Sequence, residues 1–355
     1  MKQLPKNYKR IVIKIGASLL YSEKTRFDST FAAEITRQIS DLVAEGKEIV
    51  LVTSGAIALG MSILKLENRP KELAYLQAAA AVGQHELMDV YRRFLKVKDL
   101  SCAQVLLTWE DFDNRKRYLN AKNTLITLLR LKSVPIINEN DTVSTDEIKF
   151  GDNDRLSALV STMVSADLLI ILSDVEGLLD REKNVVKIVN EITPQIKALA
   201  CPTTKKTCVG GMVTKIEAAK IAVGSGIPCV IASGRKKNVI KSCVNDTLEA
   251  GTVFLPKDVS LAARKRWIAF GTKPKGKIVI DDGAKRALLN KKSLLSVGVL
   301  AVLGDFASDS TVSVLDTKKA EIARGKANLT SRELDKVKGM RSDKEVIHRD
   351  NIVIL

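Results

Sequence analysis

The sequence predicts an α/β protein: an αβα sandwich built on a mainly parallel open sheet, followed by a small β-rich C-terminal domain. Three observations predict it. From residue 10 to residue 255, apolar strand-like runs alternate with stretches of helical spacing. Those runs are apolar at consecutive positions, as strands covered on both faces are, and do not alternate with polar residues. Beyond residue 276 the helical spacing gives way to short β-branched runs separated by turn residues.

RIVIKI (10–15) is a β-branched run closed by Gly16, and residues 29–45 then place Phe31, Ile35, Ile39 and Leu42 at helical spacing. The alternation returns with EIVLVTSG (48–55), a helix over 73–95, AQVLLT (103–108), a helix over 115–131 and VPIIN (134–138). It continues with a helix over 153–165, DLLIILSD (167–174), a helix in GGMVTKIEAAKIAVGSG (210–226), IPCVIASG (227–234) and TVFL (252–255). Residues 1–260 therefore form one domain. Residues 261–275, with a basic run, one tryptophan and a proline flanked by lysines, read as a linker. Residues 276–355 hold KIVIDD, VLAVLG, STVSVLD and NIVIL and read as the second domain.

Composition narrows the function classes. The chain has 355 residues, 45% hydrophobic and 28% charged, which fits a folded protein with a large core. Aromatic residues at 4% argue against a binder that stacks single-stranded bases. The net charge is +16, and residues 261–355 carry about +9 of it. Cys102, Cys201, Cys208, Cys229 and Cys243 are scattered, with no CxxC, so reduced thiols are expected rather than a disulfide framework or zinc. No apolar run reaches the ~18–20 residues that span a bilayer, and the N-terminus has no signal-like apolar segment, so a cytoplasmic protein is expected.

Neither GxxxxGKS/T nor a GxGxxG after the first strand is present. Three other strand-to-helix junctions suit an anion. Lys14 and Gly16 end the first strand, the lysine offering a point charge and the glycine a close backbone approach. Ser54 and Gly55 end the second, where a helix N-terminus binds carboxylate or phosphate and Ser54 also reads as a cap. Gly210, Gly211, Met212, Val213, Thr214 and Lys215 lead into a third helix.

Short carboxylates and amides crowd the segment NENDTVSTDEIKFGDND, just after VPII. Strand ends are where open α/β sheets bind ligands. Asp141 follows the strand, while Asn153 and Asp154 start the next helix, where capping accounts for only one of them. The run between reads as a hairpin or lid with Asp141 and Asn153 on its stems. Such groups recognise an ammonium or position a lysine.

In order and spacing, VIKIGAS, VTSGAIALG, LLT with RYLNAKNTL, PIINENDTVSTDEIKFGDND, LSDVEGL and GGMVTKIEAA resemble the glutamate 5-kinases of the amino acid kinase family, over nearly the whole chain. The tail resembles a PUA domain. The resemblance implies transfer of phosphate from ATP to the γ-carboxylate of L-glutamate, giving L-glutamyl 5-phosphate, the first step of proline biosynthesis. It implies that Lys14 and Lys215 contact the transferring phosphoryl group, that Asp154 orients them, and that Ser54, Asp141 and Asn153 hold glutamate. It places the nucleotide against Gly16, Ser173, Asp174 and the segment Val209 to Lys215. Magnesium, feedback inhibition by proline and a homo-oligomer, dimer or tetramer, are further implications. The sequence departs from the family pattern at Ala17, at Cys208-Val209-Gly210-Gly211-Met212 and at LDREKNVVKI.

An ionised γ-carboxylate, with a reference pKa near ~4.3, needs no general base. His85 and His348, the two histidines, therefore read as structural or surface residues. The labile product suggests a reductase partner. Three other readings stay open here: a relative acting on another small carboxylate or carbamate; an RNA-binding protein, suggested by the sequence pI of 9.5 and the PUA-like tail; and a kinase-like chain that has lost activity, suggested by the altered CVGGM segment.

Overall fold

Strand β1 (Arg10–Ile15) buries every residue after its first, so its backbone is shielded on both faces and can be satisfied only by neighbouring strands. The computed structural model describes residues 7–21, 27–143, 153–200, 211–256, 263–341 and 345–354. The chain forms two units, Met1–Asp111 with Arg115–Ser260, and Phe112–Asn114 with Leu261–Leu355.

After β1 the chain passes through α1 (Ala17–Leu20), α2 (Ser29–Ala44), β2 (Glu48–Val52), α3 (Ala56–Ile63), α4 (Leu73–Lys96), β3 (Cys102–Leu107), α5 (Trp109–Asp113), α6 (Arg115–Arg130) and β4 (Val134–Glu139). There follow α7 (Asp154–Val164), β5 (Leu168–Ser173), β6 (Ile188–Val189), α8 (Pro194–Leu199), α9 (Met212–Gly224), β7 (Cys229–Ser233), α10 (Val239–Asn245), α11 (Thr247–Ala250) and β8 (Gly251–Phe254). The sheet runs β3-β4-β2-β1-β5-β7-β8-β6. All pairs from β3 to β7 are parallel. β8 turns antiparallel to β7 and carries β6 parallel to itself.

Alternation along the strands sorts the two helical layers. Ile11, Ile13, Ile15, Ile49, Leu51, Leu168, Ile170 and Leu172 join one core with Phe31, Ile35, Ile39 and Leu42 of α2, Leu87, Tyr91 and Leu95 of α4, and Val239 and Ile240 of α10. The other face is covered by α6, α7 and α9, with α7 packing on β1 and β5 and α9 on β7. Lys14 shares its face with Val12, so it points into the α7–α9 layer. Helix α7 is buried at nearly every position. It tolerates this because Ser157, Ser161 and Thr162 return their hydroxyls to the carbonyls of Asp154, Ser157 and Ala158 at 2.6, 2.7 and 3.1 Å.

Helices α3 and α4 touch through glycine. A Cβ on Gly83 would lie 1.8 Å from the carbonyl oxygen of Ala56, and one on Gly60 would lie 1.7 Å from that of Ala79. No larger residue permits this approach.

The second unit contains α12 (Ala263–Arg266), a π-helical turn at Trp267–Gly271, β9 (Gly276–Ile280), α13 (Asp282–Leu289), β10 (Leu294–Leu295), β11 (Val299–Leu303) and β12 (Thr311–Leu315). It ends with β13 (Glu321–Lys326), α14 (Ser331–Val337), β14 (Glu345–Ile347) and β15 (Ile352–Ile354). Five strands form a sheet in the order β11-β9-β12-β13-β15, and β10 pairs with β14. Its core gathers Ile278, Ile280, Val312, Val314, Leu334, Val346 and Ile347. Within this unit Trp267 is buried, and its Nε1 donates to the Phe112 carbonyl at 2.6 Å.

Candidate active site

The carboxyl ends of β1, β2, β4 and β5 converge on one edge of the sheet, the position at which open α/β sheets bind ligands. Register fixes their levels: Lys14 lies beside Val52 and Ile171, and Val52 beside Ile137.

Asp154 is the centre of the arrangement. As the first residue of α7 it is fully buried, and its two oxygens meet Lys14 Nζ at 2.6 Å and Lys215 Nζ at 3.1 Å. Thr214 Oγ1 donates to the same carboxylate at 2.9 Å. Lys14 is 2% and Lys215 7% exposed. Buried charges must be paired, and here one carboxylate pairs two ammonium groups. Counted over these three residues, the ammonium groups outnumber the carboxylate by one.

Lys215 is held in place by its own helix. Gly211 caps α9 with φ 71° and ψ −133°, a conformation open to glycine and hardly to any other residue. Its carbonyl then accepts from Lys215 Nζ at 3.3 Å and lies 2.9 Å from Thr214 Oγ1, whose single hydrogen is shared between this carbonyl and the Asp154 carboxylate. Met212 and Val213 form the first turn of α9, where backbone N–H groups lack intrahelical partners. Val209 and Gly210 lie outside the described residues, as does most of the stretch read as a lid. The Gly16 N–H donates to the Leu172 carbonyl at 3.1 Å, and a Cβ at Gly16 would lie 3.9 Å from Lys14 Nζ.

Ser54 is 4% exposed, and its hydroxyl has no hydrogen-bond partner among the described residues. It does not cap α3: Gly55 holds the N-cap position, and no side chain bonds there. Tyr21 donates its hydroxyl to the Gly55 carbonyl at 2.6 Å and supports that turn. Next to it, Thr53 Oγ1 lies 2.9 Å from the hydroxyl of Tyr91, whose pKa burial pushes above the usual phenol range. A buried, unpartnered hydroxyl costs stability unless a ligand completes it.

Asn153 donates its side-chain NH2 to the Thr53 carbonyl and, at 2.7 Å, to Asn138 Oδ1. Asp141 lines a cavity of about 280 Å3 together with Ala56, Gln84, His85, Gln104 and Glu139. That volume falls just short of the ~300–1,000 Å3 of drug-sized pockets and suits an amino acid. At the end of β5, Ser173 Oγ donates to Asp174 Oδ1 at 2.9 Å, and Asp174 is exposed.

Thus Lys14, Asp154, Thr214 and Lys215 come together in one ion cluster, and Asn153 is adjacent in sequence to its carboxylate. Gln84 and Gln104 were missed by sequence reasoning, whereas Asn138 belongs to the amide-rich segment after VPII and His85 is exposed, as a surface residue is. The available signal was Gln84 itself, an amide on the face of α4 that also buries Leu76, Ala80, Leu87 and Tyr91. Cys229 and Cys243 are buried among apolar groups, which raises both thiols, Cys243 to about 12. Both stay protonated and take no part in this chemistry.

A sequence profile of the Amino acid kinase family matches residues 9–233. The chain belongs to the amino acid kinase family. The cluster of Lys14, Asp154 and Lys215 lies wholly inside the matched region of this kinase. A PUA domain profile matches residues 276–348. Three relatives named "Glutamate 5-kinase" span the chain. The protein from Thermoanaerobacter sp. (strain X514) is 44% identical over 98% of both chains. That from Dictyoglomus thermophilum is 43% identical over 98% of both chains. That from Citrifermentans bemidjiense is 42% identical over the whole of both chains. Among the described residues of this kinase, no helix is long and apolar enough to cross a membrane.

Proposed function

We propose that the chain phosphorylates the γ-carboxylate of L-glutamate with ATP, giving L-glutamyl 5-phosphate and ADP, the first step of proline biosynthesis. Family membership and the name shared by relatives at 42–44% identity over nearly the full length support this reading. The structural observation that carries it is the buried carboxylate of Asp154, held between Lys14 and Lys215 where the strand ends meet.

The chemistry follows from charge. A γ-carboxylate oxygen attacks the γ-phosphorus of ATP, and the bond from that phosphorus to the β–γ bridging oxygen breaks, leaving ADP. The nucleophile is already anionic, so the obstacle is repulsion between two anions and the charge that develops on the phosphoryl oxygens. Lys14 and Lys215 place positive charge on both sides of the transfer, and Asp154 fixes them so that little reorganisation accompanies the step. The α9 N-terminus supplies N–H groups to the phosphates. Ser173 and Asp174 border the nucleotide.

Ser54, Asp141 and Asn153 hold the amino acid, Ser54 through a hydroxyl that has no partner among the described residues and Asp141 through charge on the α-ammonium. Both oxygens of Asp154 face lysines, and no group of three or more histidine, cysteine or acidic residues that could hold a metal gathers among the described residues. Magnesium, which prefers oxygen ligands and keeps several waters, would be held mainly by the ATP phosphates, and no protein ligand is assigned to it. The residues given these roles lie within residues 9–233, the region that the amino acid kinase family model matches.

The test is ADP release from magnesium ATP with L-glutamate, L-aspartate, N-acetyl-L-glutamate or no acceptor, with hydroxylamine to trap acyl phosphate. ADP release and hydroxamate in equal amounts with L-glutamate alone is the expected result. Equal release with every acceptor, or none, refutes the reading.

A further inference from the structure

The amides that run from the wall of the candidate substrate cavity, at Gln84 and Gln104, to Asn153 form a chain with a fixed direction. The Thr53 carbonyl can only accept, so the NH2 end of Asn153 must lie on it. The second hydrogen of that NH2 goes to Asn138 Oδ1 at 2.7 Å. Asn138 Oδ1 also takes the backbone N–H of Glu139 at 2.9 Å, and a backbone N–H can only donate, so Asn138 cannot be turned round either. Its NH2 therefore points away, to Gln84 Oε1 at 2.8 Å, and Gln84 Nε2 faces Gln104 Oε1 at 3.2 Å. Two backbone groups set the polarity of the whole chain.

Both hydrogens of Asn153 Nδ2 are used, so what this side chain offers a ligand is Oδ1, an acceptor. An acceptor of this kind suits an ammonium group. Asn138 is 2% exposed, and Gln84 and Asn153 are 8% exposed, so water cannot readily replace a lost partner. Without Gln84, the Asn138 NH2 is left buried and unsatisfied. Turning it over would set an NH2 against both the Glu139 N–H and the Asn153 NH2.

We infer that Gln84 is a positioning residue which, through Asn138, holds the Asn153 oxygen toward the acceptor and so favours acceptors that carry an α-ammonium group. The inference rests on the reading of L-glutamate as the acceptor. Gln84 acts from the middle of α4, outside every motif that marks the site.

The experiment compares wild type, Gln84→Met and Gln84→Glu with L-glutamate and with glutarate, which lacks the ammonium. It reads the ratio of the two kcat/KM values, the KM for ATP, and folding by circular dichroism. Gln84→Met is expected to lower the glutamate-to-glutarate ratio at least tenfold, mainly through a higher KM for glutamate, with the KM for ATP within twofold of wild type. Gln84→Glu keeps an oxygen opposite Asn138, and exposed Gln104 can turn to donate, so its ratio is expected within threefold of wild type.

A folded Gln84→Met that keeps the wild-type ratio overturns the inference even if its rate falls, because general loosening penalises both acceptors alike. A folded Gln84→Glu whose ratio collapses overturns it too, and this arm decides the matter if Gln84→Met does not fold. Wild type inactive on L-glutamate overturns the substrate reading, and the inference with it, whereas the variant results strike the inference alone.

Discussion

Replacing Asp154 with asparagine keeps the shape of the site and removes one charge. Lys14 and Lys215, 2% and 7% exposed, would then face each other across a neutral amide. Removing one partner of a buried ion pair typically costs ~3–5 kcal/mol, because the remaining charge stays buried and unpaired. At ~2–4 °C per kcal/mol for a unit of 150–250 residues, the Tm of the first unit should fall by about 6–20 °C. Nucleotide phosphates supply the missing negative charge, so saturating magnesium ATP should raise the Tm of Asp154→Asn by more than it raises that of wild type. Loss of lysine alignment should lower kcat by about 10²–10³, the usual effect of losing one positioned donor in a transition state. The assay is thermal unfolding with and without nucleotide, alongside steady-state turnover. A variant with unchanged Tm and a kcat within threefold of wild type would refute the claim that this carboxylate organises the two lysines.

Other predictions follow from single contacts. Ser54→Ala removes a hydroxyl with no partner among the described residues, so it should raise the KM for glutamate about tenfold while leaving Tm unchanged or higher, roughly one hydrogen bond to a charged group; steady-state kinetics and unfolding of the same preparation check both. Gly83→Ala forces apart backbones that the missing Cβ lets meet and should lower stability by ~1–3 kcal/mol or more, measured by urea unfolding. In the second unit, the Lys285 ammonium holds the Asp316 carboxyl below the usual aspartate range. A depressed folded-state pKa gives stability that is present above pH 3.8 and is lost as pH falls through the lower folded value. In a Trp109→Phe background, where Trp267 alone reports, wild type should thus outlast Asp316→Asn at pH 6, and the two should converge toward pH 2.

Much of this was legible because strands buried on both faces announce themselves as continuous apolar runs, and because candidate ligand groups can be sought where those runs end. Lys14, Ser54 and Asp141 stand out that way, and Lys215 through the glycines that lead into α9. The antiparallel turn of β8 could not, since an apolar run carries no direction and β7 and β8 read alike. In the second unit, α14 was overlooked although Thr330 and Glu333 form a capping box, a pattern too short to stand out among β-branched runs. β13, reading EIARGK, buries only alternate residues and looks polar. The role of Gln84 depends on which amide faces which carbonyl across α4, β3 and β4, and spacing within one segment cannot show that.

The central claim is that a glutamate γ-carboxylate oxygen attacks phosphorus beside the Lys14–Asp154–Lys215 cluster. L-glutamate labelled with 18O in the γ-carboxylate, turned over with magnesium ATP and trapped with hydroxylamine, tests it most directly. Attack by the carboxylate leaves the labelled oxygen bridging carbon and phosphorus, and hydroxylamine then displaces it with the phosphate. One 18O in each inorganic phosphate released, read by mass spectrometry, is the predicted result. Phosphate free of label, formed in step with ADP, would contradict the account.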